Sequence, residues 1–486
     1  MDTEMDGMAT GLSTCILKDG TQAVTANIPF STYKITDLGA GTARTDAANM
    51  SNIQDSTATY AASGGSAGAY TLTLAPAITA YAAGQTFSFK ANHGTMIGVP
   101  TLNVSAVGAK NIYGTLGINT DDLIVVEYDG TKFQVISSRT ARPGTNRLIN
   151  GEMKVAQRGA TSGTITSQAY WLDGWQGQAV GGGDFVMSQS TTVPNATFVN
   201  SLKVNVGTVD SSLAATDRYW VAQAIEGLRC SRISFGTAAA QSVTLSFWFR
   251  ADSSDLTFPA TFSGSLQNSA LDRSYPFTFT QTTNATWQKH TVTIAGDQTG
   301  TWLQTSGIGL WALFSLACGS TRTGTGGAWA AANYQAATGQ VNGMNHTSND
   351  FYWTGVQLEV GSIATPFEYR SYGEELALCK RYFRRYTGAE DLGYVYYYGT
   401  AVARFYRSFE VEMRAAPTAT VTSSDLTLSY GATSTVACNS FGAASNGASP
   451  FGYMSAVGVA TTPFTIGQVG SIEIAAAKAL DFSAEL

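Results

Sequence analysis

The residue types that could do chemistry are few and scattered along these 486 residues. Three histidines, His93, His290 and His346, stand far apart in three different contexts. No His-Glu-x-x-His, Gly-x-Ser-x-Gly or Walker-type loop occurs, which argues against a zinc protease, a serine hydrolase or a phosphate-binding loop. The glycine runs Gly181–Gly183 and Gly324–Gly327 lack the Lys-Ser/Thr pair and following helix of a phosphate cradle, and read as turns. Cys15, Cys230, Cys318, Cys379 and Cys438 are odd in number and include no Cys-x-x-Cys pair, so reduced, mostly buried thiols are expected rather than a disulfide frame or zinc site. Asp173, Asp184, Glu226, Asp297 and Glu359 are the carboxylates that a sugar hydrolase could bring together, since such pairs meet only in the fold. Single carboxylates at turns and on solvated strand faces are the competing reading. No catalytic residue, metal or cofactor is expected.

Tryptophan says more. Indole faces stack on pyranose C–H groups while neighbouring amides, carboxylates and guanidinium groups bond the hydroxyls. In Val243–Arg250 the alternation puts Val243, Leu245, Phe247 and Phe249 on one face, and Trp248 on the other with Ser246 and Arg250. The same parity sets Trp353 beside Gln357 and Glu359, Trp287 beside Lys289, and Trp171 beside Asp173 and Trp175. The candidate carbohydrate-binding residues are therefore Trp171, Trp175, Trp248, Trp287, Trp353 and Gln357. Burial against a neighbouring domain or subunit is the alternative for each.

These residues need a scaffold, and the pattern supplies one. Phe351–Val360 alternates as a half-buried strand, broken by Gly361 and barred from continuing by Pro366. Further strands are expected at 201–206, 243–250, 287–294 and 309–316, enough for a sandwich. Ahead of it, 70–74 and 86–89 alternate, and 123–128 with 132–136 form a hairpin about Asp129–Gly130. Ser371 and Glu374 have capping-box spacing. A helix to about Tyr386 would then carry Tyr372, Leu376, Cys379, Phe383 and Tyr386 at the spacing of a coiled-coil seam, the candidate oligomer interface. That seam either packs on the sandwich or surrounds a threefold axis. The aromatic-dense Tyr394–Tyr398 and the strand–turn–strand Phe409–Val421 open a last β-domain.

The totals agree with an all-β, multidomain chain. Charged residues are only 13% and glycines number 51, a profile of short strands and polar, uncharged turns. A net charge of −6 without a basic run excludes nucleic acid as the expected partner. No apolar stretch reaches the roughly 18 residues of a membrane span, and the acidic start MDTEMDGMATGLST has no apolar signal core. The expectation is assembly in a cytoplasm without membrane insertion. Residues 1–56 hold too few apolar side chains for a core and would need a partner.

Several motifs together resemble tail fibre proteins of tailed bacteriophages. The K-I-T-D-L strand with D-A-A-N helix (within Ile28–Gln54) resembles their N-terminal attachment region. A-Y-T-L-T-L (Ala69–Leu74) and Y-D-G-T-K-F-Q-V (Tyr128–Val135) resemble shaft or collar domains. N-R-L-I-N-G-E-M-K-V-A-Q-R-G (Asn146–Gly159), D-G-W (Asp173–Trp175) and V-Q-L-E-V-G-S-I-A-T-P-F-E-Y-R (Val356–Arg370) resemble carbohydrate-binding-module-like jelly rolls. M-R-A-A-P-T (Met413–Thr418) and the final I-E-I-A-A-A-K-A-L-D-F resemble a distal tip. The resemblance implies an attachment segment (1–56), a small β-domain (57–142), a jelly roll (143–371), a linking helix (372–387) and a β tip domain (388–486). It also implies a homotrimer on a virion, joined to other tail or baseplate proteins through its N-terminal segment and adsorbing to host surface polysaccharide. A glycan-cleaving tailspike, or a neck, head or collar fibre, are the alternatives.

Overall fold

The computed structural model describes residues 58–486 apart from 67, 94–98, 114–117, 119–121, 139–145, 160–161, 363, 389–390, 431–433 and 462–463. The expected attachment segment and Cys15 therefore lie outside the described residues. The chain divides into two compact units, Met1–Thr140 and Ala141–Leu486.

The first unit holds an eight-stranded sheet of short strands. Alternation buries Tyr70, Leu72 and Leu74, and likewise Phe87 and Phe89, against Ile124, Val126 and Phe133. The expected hairpin is present: Leu123–Tyr128 pairs with Phe133–Ser138, and its turn is closed by Asp129 Oδ1 accepting from the backbone N–H groups of Thr131 and Lys132.

The second unit begins with a sandwich of twelve main strands. In chain order these are β1 (Gly163–Ile165), β2 (Ala169–Leu172), β3 (Trp175–Val180), β4 (Asp184–Ser190), β5 (Ser201–Thr208) and β6 (Arg218–Glu226). They continue as β7 (Val243–Asp252), β8 (Ala260–Gln267), β9 (Ser274–Gln281), β10 (Gln288–Ile294), β11 (Ile308–Cys318) and β12 (Asp350–Val360). Two antiparallel sheets result, ordered β2-β3-β6-β11-β8-β9 and β10-β7-β12-β5-β4-β1. The inner side chains of β7, Val243, Leu245, Phe247, Phe249 and Ala251, are fully buried. Phe247 meets Phe314 of the opposite sheet edge-on at 4.8 Å between ring centres, the offset geometry aromatic rings prefer. The fold is a jelly-roll-like β-sandwich.

The helix Tyr372–Lys380 follows, started by the expected capping box: Ser371 Oγ accepts from Glu374 N–H and Glu374 Oε2 from Ser371 N–H at 2.7 Å. It ends sooner than its spacing suggested. From Phe383 the chain is a strand, β13 (Phe383–Thr387), paired with the last one, Ala479–Ser483. The run F-R-R-Y-T favours a strand because Arg385 finds Asp481 directly opposite, at 2.7 and 2.6 Å, and Tyr386 packs edge-on against Phe482. Tertiary pairing outweighs helical spacing here. Of the seam candidates, Cys379 is buried with Ile149, Val155 and Tyr382 and Leu376 packs beside them; Tyr372 is exposed. Phe383 and Tyr386 are not on the helix at all.

The C-terminal strands are β14 (Asp391–Gly399), β15 (Val402–Ser408), β16 (Thr418–Thr420), β17 (Leu426–Tyr430), β18 (Ser434–Ser449), β19 (Gly452–Val459), β20 (Val469–Ile474) and β21 (Ala479–Ser483). Six close into a barrel in the order β14-β15-β19-β18-β17-β20, and β13-β21-β16 form a small sheet. The sandwich and this domain are clasped together. Arg381 binds Glu226 at 2.6 and 2.9 Å, Tyr382 donates to the same carboxylate at 2.7 Å, and Arg158 pairs with Glu485 at 2.8 Å. No helix among the described residues is long and apolar enough to cross a membrane.

Candidate functional site

The strand β12 decides which tryptophans face outward. Gly355, at φ +60°, forms a bulge: Ser246 pairs with Gln357, but Trp248 pairs with Thr354, so one extra residue enters β12. A bulge of one residue exchanges the two faces. Before it, Phe351 and Trp353 point into the core; after it, Val356 and Leu358 do. Trp353 is thus a core residue, 2% exposed, with its ring 5.0 Å from Phe249. The parity that set it beside Gln357 and Glu359 runs across the bulge and fails there. A side chain at 355 would meet the Phe198 ring at 2.8 Å.

The other candidates separate clearly. Trp175 is fully buried, its Nε1 donating to the Asn150 carbonyl at 3.1 Å. The D-G-W turn explains this, because Gly174, at φ +77°, lets the chain reverse tightly between Asp173 and the inward Trp175. Trp171 lies half-buried over Gly163, whose missing side chain makes room for the ring. Gln357 is fully buried and structural: its Nε2 donates to Glu359, Thr365 Oγ1 and the Pro366 carbonyl, and its Oε1 accepts from Glu368 N–H. It fastens the return segment after β12.

Trp248 and Trp287 remain, and they share a face. On the outer side of the second sheet, Arg250 pairs with Tyr352 and Tyr352 with Lys203, which pairs in turn with Ser188. Trp287, immediately before β10, extends this row and meets the Tyr352 ring at 6.1 Å. The Arg250 guanidinium and the Lys203 ammonium each lie 5.6 Å from the Tyr352 ring centre, within cation–π range. The adjacent row is Lys289, Trp248 and Thr354. Beyond Trp248 stand Phe198 and the exposed Tyr369, ring centres 5.7 Å apart.

Polar groups are interleaved with these rings. Asp350 accepts from Lys203 and from Asn205 Nδ2 at 2.6 Å each, and Asp252 accepts from Arg250 at 2.8 Å. Burial lowers the Lys203 pKa, but the hydrogen bond and charge of Asp350 outweigh it and leave the ammonium above its ordinary range. Lys289 is shifted downward by burial, with Glu359 opposing. Trp287 Nε1 and Arg250 Nε have no hydrogen-bond partner among the described residues. Both atoms are buried, so what faces outward for a hydroxylated ligand is the half-exposed indoles and the polar side chains beside them.

The sequence reading named Trp248 and Trp287, which share this face, but not Arg250's neighbours Tyr352 and Lys203, nor Phe198 and Tyr369. The signal for Tyr352 was the alternation of β12 itself, read with the bulge in place.

The five carboxylates weighed for hydrolysis have separate occupations. Asp173 holds Gln157, Asp184 holds Thr208, Glu226 holds Arg381, Asp297 holds Arg273 and Glu359 holds Thr365. Among the described residues no group of three or more His, Cys, Asp or Glu is placed to hold a metal ion.

No protein-family model matches the chain, and no curated protein matches it. Solved structures that align with the chain include the enzymatically active domain of tailspike protein 4 of bacteriophage CBA120, at 11% identity and TM-score 0.25, over 46% of this chain and 22% of that one. A CBM4 module aligns over 44% of this chain and 98% of its own, at 14% identity and TM-score 0.23. A family 11 carbohydrate-binding module from Clostridium thermocellum, in complex with a β-1,3-1,4-mixed-linked tetrasaccharide, aligns over 43% and 99%, at 9% identity and TM-score 0.21. The chain thus spans under a quarter of the tailspike domain's length.

Proposed function

We propose that the chain is a structural fibre protein of a tailed phage particle that adsorbs to host surface polysaccharide through the outer face of its second sandwich sheet. One observation carries the binding half of this reading. Trp248 and Trp287, both half-exposed, lie in adjacent rows of one sheet face, with Arg250, Lys203, Asp350 and Asn205 beside them. Sugar rings would stack on the indoles, and their hydroxyls would bond the Arg250, Lys203, Asp350 and Asn205 side chains beside them. The fibre half is supported by the motifs that resemble attachment, shaft, jelly-roll and tip segments. Weak sites multiplied over three chains and several fibres give firm adsorption.

The proposal is of a binder without hydrolysis. Affinity electrophoresis of the full chain through gels containing bacterial surface polysaccharides is expected to retard it, and to lose that retardation in the double variant Trp248→Ala/Trp287→Ala. Retention unchanged in the double variant rejects this face. Release of oligosaccharide from the gel polysaccharide would favour the tailspike reading. Light scattering is expected to give three times the 51.1 kDa subunit mass; a monomer would remove the trimeric fibre.

A further inference from the structure

The C-terminal barrel carries a second aromatic surface, unconnected with the sandwich face. Along β14, Val395 and Tyr397 point into the barrel, while Tyr394, Tyr396 and Tyr398 point out and are 80%, 47% and 57% exposed. Along β15, Ala403 and Phe405 are inside, and Arg404 and the exposed Tyr406 are outside. The register Val395↔Phe405 and Tyr396↔Arg404 sets Tyr394 against Tyr406. The first row therefore reads Ser471, Tyr394, Tyr406, Met454, and the second Val469, Tyr396, Arg404, Ala456. The Arg404 guanidinium lies 4.1 Å from the Tyr398 ring centre.

Two features say what fits here. Neither row contains a carboxylate, and Arg404 has no ion-pair partner among the described residues, so the ridge presents one uncompensated cation; the exposed Glu473 lies further along β20. The rings are tyrosines, each joining a flat apolar face to a hydroxyl at its tip, which suits a ligand that is itself half apolar and half hydroxylated. Tyrosine and arginine are also enriched where protein surfaces meet, and the native mass in the test below separates that occupant from a glycan. Beside the ridge, Ala456 and Gly458 of β19 form a low floor opposite Arg404 and Val402.

We propose that this tyrosine ridge binds an acidic oligosaccharide, with pyranose faces on Tyr394, Tyr396 and Tyr406 and a sugar carboxylate on Arg404. The proposal extends glycan recognition to a second surface and does not depend on the sandwich face.

The test is calorimetric titration of the full chain with oligogalacturonate, oligomannuronate and oligosialic acid, against neutral maltohexaose. At least one acidic probe is expected to bind, and maltohexaose to bind more weakly. Tyr396→Ala is expected to weaken the acidic probe about tenfold, and Arg404→Gln to weaken it and abolish its salt dependence. The titrations are repeated in the Trp248→Ala/Trp287→Ala background, where the binding that the barrel substitutions still remove belongs to the ridge and not to the sandwich face. Failure of all three acidic probes overturns the proposal, as does binding indifferent to both barrel substitutions. A native mass that falls in Tyr396→Ala would also overturn it, marking the ridge as a contact between copies.

Discussion

The two outer faces of the sandwich use the same residue type to opposite ends. On the first sheet, Trp220 and Trp311 meet edge-on at 6.2 Å over Ala222 and Leu313, and are only 5% and 9% exposed. The segment between β11 and β12 reaches over the same sheet: Ser263 accepts from Ala337 N–H, and Gln267 donates to Asn333 and to the Tyr334 carbonyl. On the second sheet, Trp248 and Trp287 sit among charged and amide side chains and stay half-open. Indole on an outer face is therefore no indication of a binding site by itself. What marks one is an indole left accessible next to charged and amide side chains.

Substitutions can break or sharpen this contrast. The largest effect is expected inside the sandwich, where Trp353→Ala should cost about 3–5 kcal/mol in urea unfolding through lost burial and the cavity left behind. Trp220→Ala on the sealed face should cost about 3 kcal/mol and leave polysaccharide retention unaltered; a binding loss in that variant would undo the distinction between the faces. Gly355→Ala should destabilise by about 1–3 kcal/mol, because the positive φ and the Phe198 ring leave no place for a side chain. Trp287→Ala should hardly change stability but weaken polysaccharide binding about tenfold.

A smaller effect concerns acid. His290 faces inward against Phe247, Phe249 and Phe279, and burial holds its pKa down at about 4. The unfolded chain then binds a proton that the folded chain refuses between about pH 6.5 and 4. Stability from this group is fully present above pH 6.5 and is lost as pH falls through 4. His290→Gln should flatten the fall in unfolding midpoint over that window, measured by urea titration at successive pH values.

Much of this architecture was legible in the sequence because it rests on period-two burial. Val243–Phe249, Tyr70–Leu74 and the Asp129–Gly130 hairpin follow directly from side-chain alternation and turn chemistry. The capping box at Ser371 was legible for the same local reason. What alternation could not reveal was a change of its own phase: Gly355 inserts one residue into β12 and sends Trp353 inward. Nor could helical spacing at Phe383 and Tyr386 compete with a strand partner almost a hundred residues away, at Ala479–Ser483. The exposed ridge of Tyr394, Tyr396 and Tyr398 was visible as aromatic density, but its outward direction depends on barrel closure. Tyr352 and Lys203 become neighbours only once β5 pairs with β12.

The central claim is that polysaccharide covers Trp248 and Trp287. Hydroxyl-radical footprinting of the full chain, read by mass spectrometry with and without a polysaccharide that retards it in the gel, measures this residue by residue. Protection of Trp248 and Trp287, with Trp220, Trp311 and Trp353 equally unreactive in both states, is the result this account predicts. Equal oxidation of Trp248 and Trp287 in the presence and absence of bound polysaccharide would contradict it.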